Sequence, residues 1–226
     1  WVTLGAAKRG LGETEEAMEA TNRALQIDTN NTAALGNLAR LWGDKGNLKE
    51  QQTVLEKLVS LSPGDADAQL ALSQNRGQQG DLTGALKAAN QAVKVEPRHL
   101  ESHVYQAVTL YSLNRYPEAM DHAEVALRID EEEPVATEIF RNSFYLSLAI
   151  QLQCKYGPGP WDRKQIRKEI NTGRYPLKAM PGVLEFEALQ KEFGSRRANK
   201  ARIDQGAASC VPAGATSKAA PEAPKP

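Results

Sequence analysis

Small and apolar positions recur along roughly the first 130 residues at the three-and-four spacing of amphipathic helices, and short polar turns interrupt them at a fixed interval. The interval is 34 residues. Gly12, Gly46, Gly80 and Asn114 fall in one column, and Ala17, Gln51, Ala85 and Ala119 in a second. Ala24, Leu58, Ala92 and Ala126 form a third, Thr29, Pro63, Pro97 and Glu131 a fourth, and Gly5, Ala39, Ser73 and Ala107 a fifth. Columns that stay in step over about 100 residues without an insertion identify a repeated structural unit.

Each column has a physical cause. Small residues mark places where paired helices cross too closely for a large side chain. The Gly/Asn column falls between two helical stretches, where a left-handed backbone conformation ends the first helix. Pro63 and Pro97 end the second helix and open the next unit. Large apolar residues are expected to point inward, among them Leu4, Leu38 and Leu72 on first helices and Ile27, Leu61, Val95 and Ile129 on second ones. The unit is a helical hairpin, and the fold class is all-α.

The period, the small-residue columns and the terminal proline resemble the tetratricopeptide repeat, with Trp1 at the family's aromatic position in the first helix. The resemblance implies an α-solenoid, a right-handed superhelix of stacked hairpins. Four units follow: 1–31, lacking its opening three residues, then 32–65, 66–99 and 100–133. Thr29 and Glu131 depart from the family's proline, Gln51 from its alanine, and Lys8 and Arg76 from its usual tyrosine. A stack needs a terminal helix to hide its last apolar face. Residues 134–153, opening on Pro134, supply it and complete a repeat domain over 1–153.

The period stops at Lys155. Gly157, Pro158, Gly159 and Pro160 form a stiff break, and 154–197 reads as a basic helical extension. Trp161 to Asn171 is one short amphipathic helix in it, and Leu184 to Phe193 a second. The Ala/Pro/Lys-rich residues 198–226 read as a disordered tail.

Net charge refines this division. The chain carries 28 Lys plus Arg and 28 Asp plus Glu over 226 residues. Residues 1–154 hold 14 of the former and 21 of the latter, a net of −7, and residues 155–226 hold 14 and 7, a net of +7. Either the basic part folds back on the acidic part or each has its own partner. Cys154 and Cys210 stand outside any zinc-ligand spacing, so one disulfide and two free thiols fit equally well. No apolar run of about 18 residues is present to span a bilayer. The first residue is Trp1, with no signal-like start, which points to an upstream segment removed or never built.

The resemblance implies a peptide-binding concave groove lined by first helices. The matching positions include Asn37, Arg40, Asp67, Leu70, Gln74, Glu101, Tyr105, Val108 and Tyr111. Tyr105 and Tyr111 lead this set, because rigid amphipathic rings concentrate binding energy. The alternative for each is a solvated helix face or packing within the stack. Only Asn37 and Arg40 fit the clamp that holds a C-terminal carboxylate in some members, and Leu70 and Gln74 replace its later lysine and arginine, so that clamp is not expected. Arg163, Lys164, Arg167 and Lys168 form a basic patch that suits either the acidic repeats or an anionic membrane surface. Nucleic acid is disfavoured, since few aromatics interleave the cations. His99, Glu101 and His103, with His122 nearby, read HLESH rather than HExxH, and are taken as polar surface histidines rather than metal ligands. With no catalytic motif, metal site or cofactor site, the expected function is a non-enzymatic scaffold or adaptor. It would hold a peptide segment, or its own extension, and support assembly of a larger complex. The alternative is the accessory domain of an enzyme whose catalytic part lies elsewhere.

Overall fold

The computed structural model describes residues 1–157, 162–172, 197–208 and 210, and all regular structure among them is helical. Leu184 to Phe193, Trp161 and the tail beyond Cys210 lie outside the described residues. Packing divides the chain into two compact units, Trp1–Ile139 and Phe140–Pro226.

The first unit contains four hairpins: α1 (Val2–Gly10) with α2 (Thr14–Ile27), α3 (Thr32–Asp44) with α4 (Leu48–Leu61), α5 (Ala66–Gln78) with α6 (Leu82–Val95), and α7 (Leu100–Ser112) with α8 (Tyr116–Ile129). Each second helix also packs on the next first helix, which makes the unit an α-solenoid. All four hairpins close in one way. Gly12, Gly46, Gly80 and Asn114 have φ of 77°, 70°, 83° and 60°, the left-handed conformation required of that column. The following residue then bonds back five positions along the chain: Glu13 N–H to Lys8 O at 3.0 Å, with Asn47 to Trp42, Asp81 to Arg76 and Arg115 to Leu110 at 2.9 Å. These bonds satisfy carbonyls that the end of the first helix leaves unpaired.

The small-residue columns lie in the core. Ala17, Ala85 and Ala119 are buried, as are Ala24, Leu58, Ala92 and Ala126, and also Gly5, Ala39, Ser73 and Ala107. A Cβ on Gly5 would stand 2.5 Å from Thr21 Oγ1 and 3.3 Å from the Ala17 carbonyl, so α1 and α2 cross there at the closest approach the backbone allows. Leu35, Leu55, Leu58 and Leu72 join Ala39, Ala68 and Ala88 in a continuous cluster through the middle hairpins.

Several expected inward positions are exposed instead. Ile27 is 76% exposed, and Leu61 and Val95 also face solvent, because each is the last residue of its helix and projects past the packed layer. The inward place belongs to the residue three positions earlier in each case. Leu4 is 43% exposed on the outermost hairpin, which packs on a neighbouring hairpin from one side alone.

In the second unit, α9 (Pro134–Tyr156), which begins in the first, continues three residues past the boundary drawn after residue 153. The helix α10 (Arg163–Thr172) follows, opening two residues later than expected. The composition of 198–208 suggested disorder, but α11 (Arg197–Ala208) is a helix there. Ala, Arg, Lys and Gln are strong helix formers, and the prolines that would prevent a helix first appear at Pro212.

One substitution tests the register. Ala85→Trp is expected to force α5 and α6 apart and to cost about 3 kcal/mol or more by overpacking. An unchanged thermal melting curve would contradict it.

Candidate protein-binding face

A further 34-residue column starts the first helices. Asn31 Oδ1 accepts from Ala34 N–H at 2.9 Å, Asp65 Oδ1 from Ala68 N–H at 2.9 Å, and a Glu133 carboxylate oxygen from Ala136 N–H. His99 occupies the fourth place and sets its Nδ1 2.7 Å from Ser102 Oγ, three positions on. Asn31, Asp65 and Glu133 thus satisfy amide groups that a helix start leaves open, whereas His99 meets a side-chain hydroxyl instead.

Side chains then tie neighbouring first helices edge to edge. Arg9 forms a two-pronged pair with Asp44, Nε to Oδ2 at 2.6 Å and Nη2 to Oδ1 at 3.1 Å. The Arg9 hydrogen bond holds the Asp44 carboxyl below its ordinary range and raises Arg9 in turn. Both groups are more than a third exposed, so the pair contributes little stability and serves mainly to set geometry. Asn37 Nδ2 donates to the Val2 carbonyl at 3.1 Å. Between α5 and α7, His99 Nε2 lies 3.2 Å from Asp67 Oδ1, and the Tyr105 hydroxyl donates to the Ser73 carbonyl at 3.4 Å.

This bracing separates the expected groove residues into two groups. Asn37 and Leu70 are 8% and 7% exposed, so their side chains belong to the stack. Tyr105 is partly buried, and burial pushes its phenol up. Its hydroxyl sits where a Cβ on Gly77 would collide with it. Val108 is partly buried, and the Tyr111 ring meets the buried Tyr116 ring edge-on at 5.6 Å. Arg40, Asp67, Gln74 and Glu101 are exposed. Asp67 and Glu101 both flank His99 Nε2, at 3.2 and 3.8 Å. Arg40 lies over Gly36 and has no ion-pair or hydrogen-bond partner among the described residues.

The histidines are not the polar surface set the sequence suggested. His103 is 4% exposed. Its Nε2 lies 3.0 Å from the Pro97 carbonyl, which can only accept, so that nitrogen carries the proton. In the neutral ring Nδ1 is then an acceptor, and His122 Nδ1–H donates to it across 3.2 Å. Burial first, and then the neighbouring His103, hold His122 below its ordinary pKa; Asp121 and Glu118 act in the opposite direction. Helical spacing put His99 and His103 on one helix, but the first engages Asp67 and Ser102 while the second pairs with His122 on α8. Among the described residues no three His, Cys, Asp or Glu side chains gather as a metal would require.

On α10, Lys164, Arg167 and Lys168 are exposed, and Arg163 opens the helix. Ile166 and Ile170 are buried on the other side, with Glu169 between them. Glu169 Oε1 accepts from Lys155 Nζ at 2.7 Å and from the Tyr156 hydroxyl at 3.0 Å. The Lys155 hydrogen bond keeps its carboxyl below the usual range. This clasp was not legible beforehand, because a lone acid in a basic helix reads as solvated.

A stack of helical hairpins closed by these turns and braced along its first helices defines an α-solenoid repeat protein. Residues 70–134 and residues 1–31 each match a tetratricopeptide repeat family profile. The chain therefore carries tetratricopeptide repeats. It is 29% identical over 140 residues to the human Protein O-mannosyl-transferase TMTC1, a match that covers 62% of this chain and 16% of that protein. The chain thus spans only a small part of the length of the curated relatives it matches. Among solved structures it resembles YrrB, described as a TPR protein with an unusual peptide-binding site, at a TM-score of 0.60 and 14% identity over 85% of this chain and 90% of that one. It resembles the MamA protein at a TM-score of 0.59 and 20% identity, covering 63% and 78%. At these identities the structures speak to fold. Repeats and relatives together support a protein-interaction scaffold. Among the described residues no helix is long and apolar enough to cross a membrane.

The histidine pair gives a pH dependence. His122 is a base held below its unfolded value of about 6.5, so the folded chain binds fewer protons than the unfolded one. The resulting stability is complete above that value and is lost as pH falls through it. Thermal melting followed from pH 7.5 to 5.5 is expected to drop by a few degrees, and by less in His122→Asn, which keeps the donor without the titration. Equal drops in the two proteins would show that the pair is not responsible.

Proposed function

We propose that the chain is a non-enzymatic scaffold whose first-helix face holds a peptide segment of a protein partner, and that it supports assembly of a larger complex. The observation that carries this reading is Arg40. It is an exposed guanidinium without a partner among the described residues, on a face where Arg9, Asn37 and Tyr105 are already engaged. An unpaired cation above a glycine offers a peptide carboxylate or carbonyl two parallel donors. Further along the same face, Val104, Val108 and Tyr111 are partly exposed and supply apolar contact, with Gln74 as a polar contact between. The bracing matters energetically, because helices ordered on folding do not have to be ordered at the encounter. The YrrB description is consistent with peptide recognition on such a stack.

The exposed cations of α10 are the basis of a second reading, in which Lys164, Arg167 and Lys168 meet an anionic lipid surface; no observation favours it over the groove. An accessory role beside a catalytic domain is a further alternative, and the full sequence of the parent protein distinguishes it.

Peptides selected from a random library on the whole chain provide the test. Arg40→Ala and Val108→Glu are each expected to weaken their binding about tenfold or more, while Lys87→Ala on α6 leaves it unchanged. Peptides that bind all three variants equally would place recognition elsewhere.

A further inference from the structure

Within the second unit α11 rests on α9. Gly206 approaches Ile150 so closely that a Cβ on it would stand 2.5 Å from Ile150 Cδ1. Gln153 Nε2 donates to Asp204 Oδ1 at 2.9 Å, an exposed bond. Ile203 is buried, 6% exposed. A 12-residue helix is marginal in water on its own, so its order depends on docking. Just beyond its end, Cys210 is joined to Cys154 of α9 with Cα atoms 5.7 Å apart, within the range a disulfide requires. Both cysteines are partly exposed, so a dissolved thiol can reach them.

We propose that Cys154–Cys210 is a reversible redox staple that decides whether α11 stays docked on α9. In the oxidised chain the bond closes a loop with a sequence separation of 56. Closing a loop of that length favours the docked arrangement by about a thousandfold. The staple opens by exchange with a dithiol reductant. One reductant thiolate attacks a sulfur of the Cys154–Cys210 bond and forms a mixed disulfide, and the other cysteine leaves as a thiolate that takes up a proton. The second reductant thiol then displaces the remaining cysteine. Two electrons and two protons pass to the chain, which gains two thiols, and the dithiol becomes a cyclic disulfide. Release of α11 uncovers Ile203, buried in the oxidised chain, beside the partly exposed Ile150.

The test uses the whole chain, oxidised with glutathione disulfide or reduced with dithiothreitol. Intact mass after alkylation reads the thiols, and hydrogen exchange reads α11. The oxidised chain is expected to take up no alkylating agent and to exchange its α11 amides at least about a hundredfold more slowly than the reduced chain. Amides of α3 to α6 should be indifferent to redox state. Cys210→Ser and Cys154→Ser should each show the reduced pattern in both buffers. Full alkylation after oxidation, or equal α11 protection in the two forms, overturns the proposal.

Discussion

The close crossing of paired helices is the constraint on which the solenoid depends. Where Gly5 meets Thr21 and Ala17 there is no room for even one more carbon. That contact forms only if the chain reverses at a fixed angle, and the left-handed residues at 12, 46, 80 and 114 set the angle by returning the next amide to a helix-end carbonyl. The turn and the crossing are thus one requirement expressed at two places. This is why their columns share a period and why neither tolerates an insertion. Stability in such an array is a sum over hairpins and their nearest neighbours, so the register must be right in each.

Much of this was legible because backbone sterics write directly into residue type. Only small residues fit the crossing, and glycine or asparagine the reversal, so the alanine and glycine columns revealed the hairpins and their limits. The helix-start column of Asn31, Asp65 and Glu133, with His99 at the remaining place, carried the same period and escaped notice because its three capping residues share a role rather than a size. The exposure of Ile27, Leu61 and Val95 was illegible for a different reason. Helical spacing assigns a face, but at the last residue of a helix the layer it would pack against has ended. Order in α11 was missed because alanine and lysine are common to disordered chains and to helices alike, and composition alone does not separate the two.

Bulky and polar side chains inside the repeats are where the structure adds most. Gln51 stands in an alanine column, and the stack absorbs it. Asn75 Nδ2 donates to its side-chain oxygen at 2.8 Å, and Gly43 leaves the space that a Cβ would contest. Tyr105 is accommodated by Gly77 in the same way. His103 finds the Pro97 carbonyl and His122. In each case a bulky or polar side chain is matched by a small or polar partner distant in sequence. Residue type alone therefore named candidate contacts on the first-helix face without telling which were already engaged inside it.

That distinction bears on what the face can do. A side chain that donates to the neighbouring backbone, as Asn37 does to Val2, has its best bond made and offers a ligand little. Arg9 is neutralised by Asp44, and Asp67 and Glu101 share His99. With these groups engaged, the electrostatic character of the face is set by what is left over. Arg40 is the cation left over, while Asp67 and Glu101 put two carboxylates around one imidazole. In the proposed reading a ligand's negative group is therefore drawn to Arg40 and away from that pair, and this polarity sets the register of a peptide against the apolar residues beyond.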